Sequence, residues 1–209
     1  MKNGLFSVGH SNHELDRFLA LLHGAGVTAI ADVRSSPFSK RWPQFSRSPL
    51  EDALRMAEIA YVYLGDLLGG RPTSRALYDV EGRADYEKVR ATAAFRRGLE
   101  RLLLGAERYR VAMMCGEDDP LDCHRGLMIT PALVEIGVSP NHLRKDGSLE
   151  STPVMELRLL KETKLEERLE PDLFHPAPDI AEIREIMADA YRLMAKKKAF
   201  QVQIEESDA

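Results

Sequence analysis

The chain has 209 residues, 44% of them hydrophobic and 30% charged, a balance that fits one folded domain with an appended segment and argues against a disordered chain. Its formal charge of −4 argues against whole-molecule attraction to nucleic acid, and its only cysteines, Cys115 and Cys123, do not suit a disulfide-stapled secreted fold. Apolar runs fall short of the roughly 18 residues that a membrane span needs, and Met1-Lys2-Asn3-Gly4-Leu5 leads into a strand-like run without a signal-peptide core; no membrane partner and a cytoplasmic location are therefore expected.

The first two thirds alternate between strands and helices. Leu5-Phe6-Ser7-Val8-Gly9 reads as a first strand ending at His10. Ser11-Asn12-His13-Glu14 has the form of a capping box, and Leu15, Phe18, Leu19 and Leu22 follow at helical spacing. Residues 28–33 form an apolar second strand suited to burial on both faces. Residues 34–48 are a polar and aromatic loop, and Ser48-Pro49-Leu50-Glu51 predicts a second capping box opening a helix to about Ile59. Tyr61-Val62-Tyr63-Leu64 is the third strand. After a long loop containing Gly69-Gly70-Arg71-Pro72, Asp85 can cap a helix through Leu104, with Tyr86, Val89, Leu99, Leu102 and Leu103 on its core side. Arg110-Val111-Ala112-Met113-Met114 is the fourth strand and delivers Cys115. A helix over 124–136 is expected to kink or restart at Pro131, with Thr130 as its cap, and Asn141-His142-Leu143 is a short fifth strand.

This alternation predicts an α/β fold: a mostly parallel sheet of about five strands, right-handed crossovers and helices on both faces. Residues 1–150 would form the α/β domain. Residues 151–209 would form a charged helical extension packing on it through Leu173 and Phe174, with helices over 156–169 and 180–198 and a disordered end. The run Lys196-Lys197-Lys198 reads as a solvated helix end.

In open parallel sheets, ligands bind beyond the carboxyl ends of the strands. Titratable residues recur at those ends here: His10 after the first strand, Asp32 and Arg34 after the second, Asp66 after the third, Cys115 and Glu117 after the fourth. Cys123-His124-Arg125 opens the next helix, where the helix terminus and neighbouring cations would lower a thiol's pKa. Cys123 is therefore the favoured nucleophile over Cys115, with His124 or His10 moving protons and Asp32 or Glu117 orienting them. Arg125 and Arg34 would clamp an anion with the helix amides, and Ser11, Lys40, Gly70 and Arg71 complete the expected substrate-binding set. His13, His23, His142 and His175 are assigned surface or packing roles.

Several rivals weigh against that reading, among them a redox pair of the two cysteines, although their spacing is unlike Cys-x-x-Cys. The thiols could be inert core residues. Cys115, Cys123, His124 and His10 could hold zinc, although Cys-x7-Cys-His lacks the tight Cys-x2-Cys knuckle; no cofactor is expected. The loop from Arg34 to Arg47 interleaves cations with Phe38, Trp42 and Phe45, a composition suited to stacking on bases, so a non-catalytic nucleotide or nucleic-acid binder is the chief alternative.

Together, Gly9-His10-Ser11, Asp32-Val33-Arg34 with Ser36-Pro37, Leu64-Gly65 through Leu68-Gly69-Gly70, and Cys115-x-Glu117 followed by Cys123-His124-Arg125 resemble the domain-of-unknown-function 488 family over roughly residues 5–150. The resemblance implies an α/β fold and a shared strand-end pattern, and supplies no substrate. The residues themselves point to an enzyme acting on a small anionic, nucleotide-like or phosphorylated, substrate.

Overall fold

The computed structural model describes residues 4–171 and 176–202. Leu173, Phe174 and the tail 205–209 lie outside the described residues. The elements run β1 (Leu5–Gly9), α1 (Leu15–Gly24), β2 (Ala29–Asp32), α2 (Arg47–Met56), β3 (Ala60–Tyr63), α3 (Gly65–Leu68), α4 (Tyr86–Arg90), α5 (Ala93–Arg108), β4 (Val111–Cys115), α6 (Thr130–Glu135), β5 (Asn141–Leu143), β6 (Leu149–Ser151), α7 (Thr152–Thr163) and α8 (Ile180–Lys198). A π-helical turn, Arg125–Ile129, precedes α6. The strands form one six-stranded sheet in the order β3-β2-β4-β1-β5-β6. All neighbours are parallel except β5 and β6.

The mostly parallel α/β architecture follows from the apolar runs. Strand residues alternate between two cores: Phe6, Val8, Ile30, Ala112 and Met114 pack with α1 and α2, while Leu5, Ala31, Val111, Met113 and Cys115 face the α3–α8 layer. Met155, Leu159 and Leu160 of α7 and Ile186, Ala190, Tyr191 and Met194 of α8 are buried in that second core, so these two helices share it with the sheet.

Several local expectations are corrected. Ser11 stands in a turn at φ +44°, and α1 begins only at Leu15 with Glu14 as its N-cap. α2 begins at Arg47 with Ser46 at its N-cap position, the Ser46 hydroxyl being engaged with the Ser39 backbone and making no cap; Ser48 lies inside the helix, so the box there does not form. The helix expected from Asp85 to Leu104 is two. The Asp85 carboxylate caps α4 and the Thr92 hydroxyl accepts from Phe95 N–H to start α5. α7 ends where Lys164 turns left-handed at φ +58°, and Glu166–Leu169 is a separate 3-10 turn. Strand β6 is an antiparallel edge strand that the alternation did not anticipate.

Within β5, His142 is locked neutral. Its Nδ1 accepts from the Ser7 hydroxyl at 2.8 Å, and its Nε2–H faces Thr152 Oγ1 at 3.3 Å, whose own proton goes to the Pro140 carbonyl. Burial, then the Arg125 and Arg144 charges, hold this imidazole down at about 3. An unfolded histidine titrates near 6.5, so between pH about 6 and about 4 the unfolded chain binds a proton that the native chain refuses, and stability falls as pH falls. The wild type is expected to lose about 1.4 kcal/mol per pH unit more than His142→Gln across that window, read from urea midpoints. Parallel curves would refute a neutral His142.

Candidate functional site

Three adjacent strand ends, those of β2, β4 and β1, open on one cleft of about 420 Å³. The backbones stay zipped past the ends: His10 N–H donates to Cys115 O at 2.9 Å, Ser11 N–H to Gly116 O at 2.8 Å, and Val33 N–H to Met114 O at 3.1 Å. Gly9 lets the loop after β4 cross directly over β1, since a Cβ there would lie 1.8 Å from Glu117 O. Gly70 serves the same purpose on the opposite wall, where a Cβ would stand 2.7 Å from the His124 ring. Both glycines are thus fixed by close approach rather than by turn conformation.

On one side of the cleft, Asp32 is fully buried and holds Arg34 as a fork, accepting from Nε at 2.9 Å and Nη2 at 2.6 Å, and accepting also from the Tyr61 hydroxyl at 2.9 Å. The remaining Arg34 nitrogen, Nη1, donates to Phe45 O at 2.7 Å and faces His10 Nε2 at 3.3 Å. His10 Nδ1 lies 3.0 Å from Ser11 O, so it carries the proton and Nε2 accepts. Burial, then the Arg34 charge, holds His10 at about 4, so it is a neutral acceptor in the resting site. Its ring stacks on Phe45 at 4.4 Å.

The floor is built by sulfur and imidazole. His124 Nε2 lies 2.9 Å from the Val33 carbonyl, which fixes the proton there and turns Nδ1 toward the thiols. Nδ1 stands 3.6 Å from Cys115 Sγ and 3.7 Å from Cys123 Sγ. Cys115 Sγ also lies 3.0 Å from Glu117 Oε2, and Arg125 N–H points at Cys123 Sγ from 3.4 Å. The two sulfurs and Nδ1 all lie within 4.8 Å of one another, a spacing that could hold a metal ion. His10 stands outside this group, committed to Arg34 and Ser11.

Burial by itself raises the Cys123 thiol, but the Cys115 hydrogen bond and the Arg125 and His124 charges outweigh it and bring it well below the ordinary range. Cys115 moves the other way, held up by its bond to Cys123 and by burial. His124, which burial would lower, is raised by the Cys123 charge. Burial and then the Cys123 charge raise Glu117. The two thiols thus move in opposite directions, Cys123 toward its thiolate and Cys115 toward its neutral thiol.

The cleft brings together His10, Arg34, Cys115, Glu117, Cys123, His124, Gly70 and Arg71 from the sequence-derived set. Arg125 serves a different purpose from the expected anion clamp. The residue is 1% exposed, and its guanidinium donates to Glu117 O at 2.7 Å and Asp118 O at 2.6 Å, bracing the loop between the cysteines. Asp32 is spent on Arg34 and lies beneath the cleft. Ser11 and Lys40 fall outside the lining, Lys40 being exposed. In the 34–47 loop, Phe45 is fully buried against His10 and Phe18 and Arg41 covers Trp42, while Phe38 is 70% exposed and lines the cleft.

Sequence reasoning missed the contribution of α8. Its last residue, Lys198, pairs with Asp122 at 2.7 Å, and Phe200 beyond it lies under Arg71 at 4.6 Å, so both reach the cleft together with Ser35 and Ser36. By sequence the lysine run reads as a solvated end, because nothing local marks which distant loop it reaches.

The family model for the domain of unknown function DUF488 matches residues 14–130. The chain belongs to that family. The match takes in three of the four motifs that carried the resemblance and begins after the fourth, Gly9-His10-Ser11. No curated protein and no solved structure matches the chain. Within this DUF488 chain a larger depression, about 550 Å³, lies between α4, α6 and α8, but its mostly charged lining carries none of the sulfur and imidazole groups. Among the described residues no helix is long and apolar enough to cross a membrane.

Proposed function

We propose that the strand-end cleft is the active site of an enzyme acting on a small anionic substrate. The observation that carries this reading is convergence. Groups from three strand ends, the start of the helical segment after β4 and the end of α8 line one cleft, with cations at its mouth and a sulfur–imidazole floor. Arg71, Lys198 and the hydroxyls of Ser35 and Ser36 supply the contacts that a phosphate or carboxylate needs. The floor supplies the chemistry through Cys115, Cys123 and His124, with Glu117 and His10 as the adjacent proton-holding groups.

Two measurements test it. Inorganic phosphate and adenosine monophosphate, titrated calorimetrically, are expected to bind saturably, and Arg71→Ala and Lys198→Ala should each weaken binding about 10- to 100-fold. Turnover of a small phosphorylated or carboxylated substrate should fall at least about 100-fold in Cys123→Ser with an unchanged circular dichroism spectrum. Absence of saturable binding by both anions, or full turnover in Cys123→Ser, would overturn the reading.

A further inference from the structure

We propose that Cys115, Cys123 and His124 bind one zinc ion, with a fourth coordination position open to the cleft. The inference deepens the active-site reading by naming its cofactor, and it rests on that reading only for what occupies the fourth position. A tetrahedral zinc ion with Zn–S of about 2.3 Å and Zn–N of about 2.0–2.1 Å requires sulfur and nitrogen to stand about 3.6 Å apart. His124 Nδ1 stands 3.6 Å and 3.7 Å from the two sulfurs. Ordinary hydrogen bonding places no such demand on both distances at once.

The surroundings are those a metal-binding histidine and thiolate need. The other ring nitrogen, Nε2, is tied to the Val33 carbonyl at 2.9 Å, which fixes the tautomer that offers Nδ1 to an ion. The Arg125 amide directed at Cys123 Sγ from 3.4 Å is placed to support charge on a coordinating sulfur. All three side chains are buried, at 4–8% exposure, yet all three border the cleft, so an ion would be shielded on three sides and reachable on the fourth. The spacing in sequence had counted against zinc because it lacks a knuckle. The π-helical turn at Arg125–Ile129 and the loop braced by Arg125 bring the ligands together instead. Two soft sulfurs and one imidazole favour zinc over magnesium or calcium, and three protein ligands with an open position are the pattern of catalytic sites.

The test uses the full chain. The purified protein, reconstituted with excess zinc and desalted, is expected to retain one zinc per chain by elemental analysis. Replacing zinc with cobalt(II) should give sulfur-to-cobalt charge transfer and the intense visible bands of a tetrahedral ion. Cys115→Ser, Cys123→Ser and His124→Ala should each lower zinc affinity at least 100-fold in competition with a chromophoric chelator. The cobalt spectrum of the wild type keeps the proposal falsifiable should a variant fail to fold. Less than a tenth of an equivalent of zinc on folded wild type, without charge-transfer bands, would overturn it. Iodoacetamide labelling of Cys123 at the same rate with and without added zinc would do the same. Anion binding that survives in metal-free protein would leave the active-site reading standing, whereas zinc retention without anion binding would remove that reading and leave the metal site.

Discussion

Replacing Asp32 by alanine is expected to cost about 3–5 kcal/mol of folding stability, the range for breaking a buried ion pair by removing one partner. The carboxylate is fully buried and accepts from four donors: Arg34 N, Nε and Nη2, and the Tyr61 hydroxyl. Its removal leaves the Arg34 guanidinium, 6% exposed, with the Phe45 carbonyl and His10 as its remaining partners. Most of the loss is therefore the cost of an uncompensated cation rather than the worth of the pair. The double variant Asp32→Ala/Arg34→Met separates the two contributions, and it should recover to within about 2 kcal/mol of wild type, since replacing both partners of such a pair is often near neutral. Urea unfolding of the four proteins of the cycle gives the answer. A double variant no more stable than Asp32→Ala would mean that Arg34 is not the group left stranded.

The strand-end site was legible because it depends on local order. Apolar runs bury β1, β2 and β4 on both faces, and buried strands of a parallel sheet end together, so His10, Asp32 and Cys115 had to emerge on one edge. What each polar side chain then faces is decided by long-range packing. Arg125 looked free to clamp an anion, but the loop that Gly9 allows over β1 delivers the Glu117 and Asp118 carbonyls to its guanidinium. A buried guanidinium needs acceptors for its N–H groups, and these two carbonyls supply them. Lys198 and Phe200 escaped notice for a related reason, since their partners Asp122 and Arg71 are far away in sequence. Strand β6 did leave a signal: Asp146-Gly147 is a hairpin dipeptide, Gly147 adopts φ +95°, and the Asp146 carboxylate accepts from Ser148. The edge strand it creates is pinned by Arg158, which bridges Glu150 and Asp119.

Replacing Arg125 by methionine should destabilise the chain by about 3–5 kcal/mol and disorganise the loop between the cysteines. Methionine fills comparable volume but loses two charge-assisted hydrogen bonds to the Glu117 and Asp118 carbonyls, each worth about 1.5–3 kcal/mol, and removes a buried cation whose charge lowers the Cys123 thiol. Lysine is the informative comparison. An ammonium keeps the charge but cannot reach two carbonyls in the planar fork that a guanidinium presents, so Arg125→Lys should regain only part of the loss. Were Arg125 chiefly an anion clamp at the cleft, both variants would instead leave stability within about 0.5 kcal/mol of wild type, as surface substitutions do, and weaken phosphate binding alone. Urea midpoints set beside phosphate calorimetry for the same three proteins distinguish the brace from the clamp. The geometry, with the residue 1% exposed and its guanidinium donating to carbonyls at 2.7 and 2.6 Å, commits Arg125 to the brace.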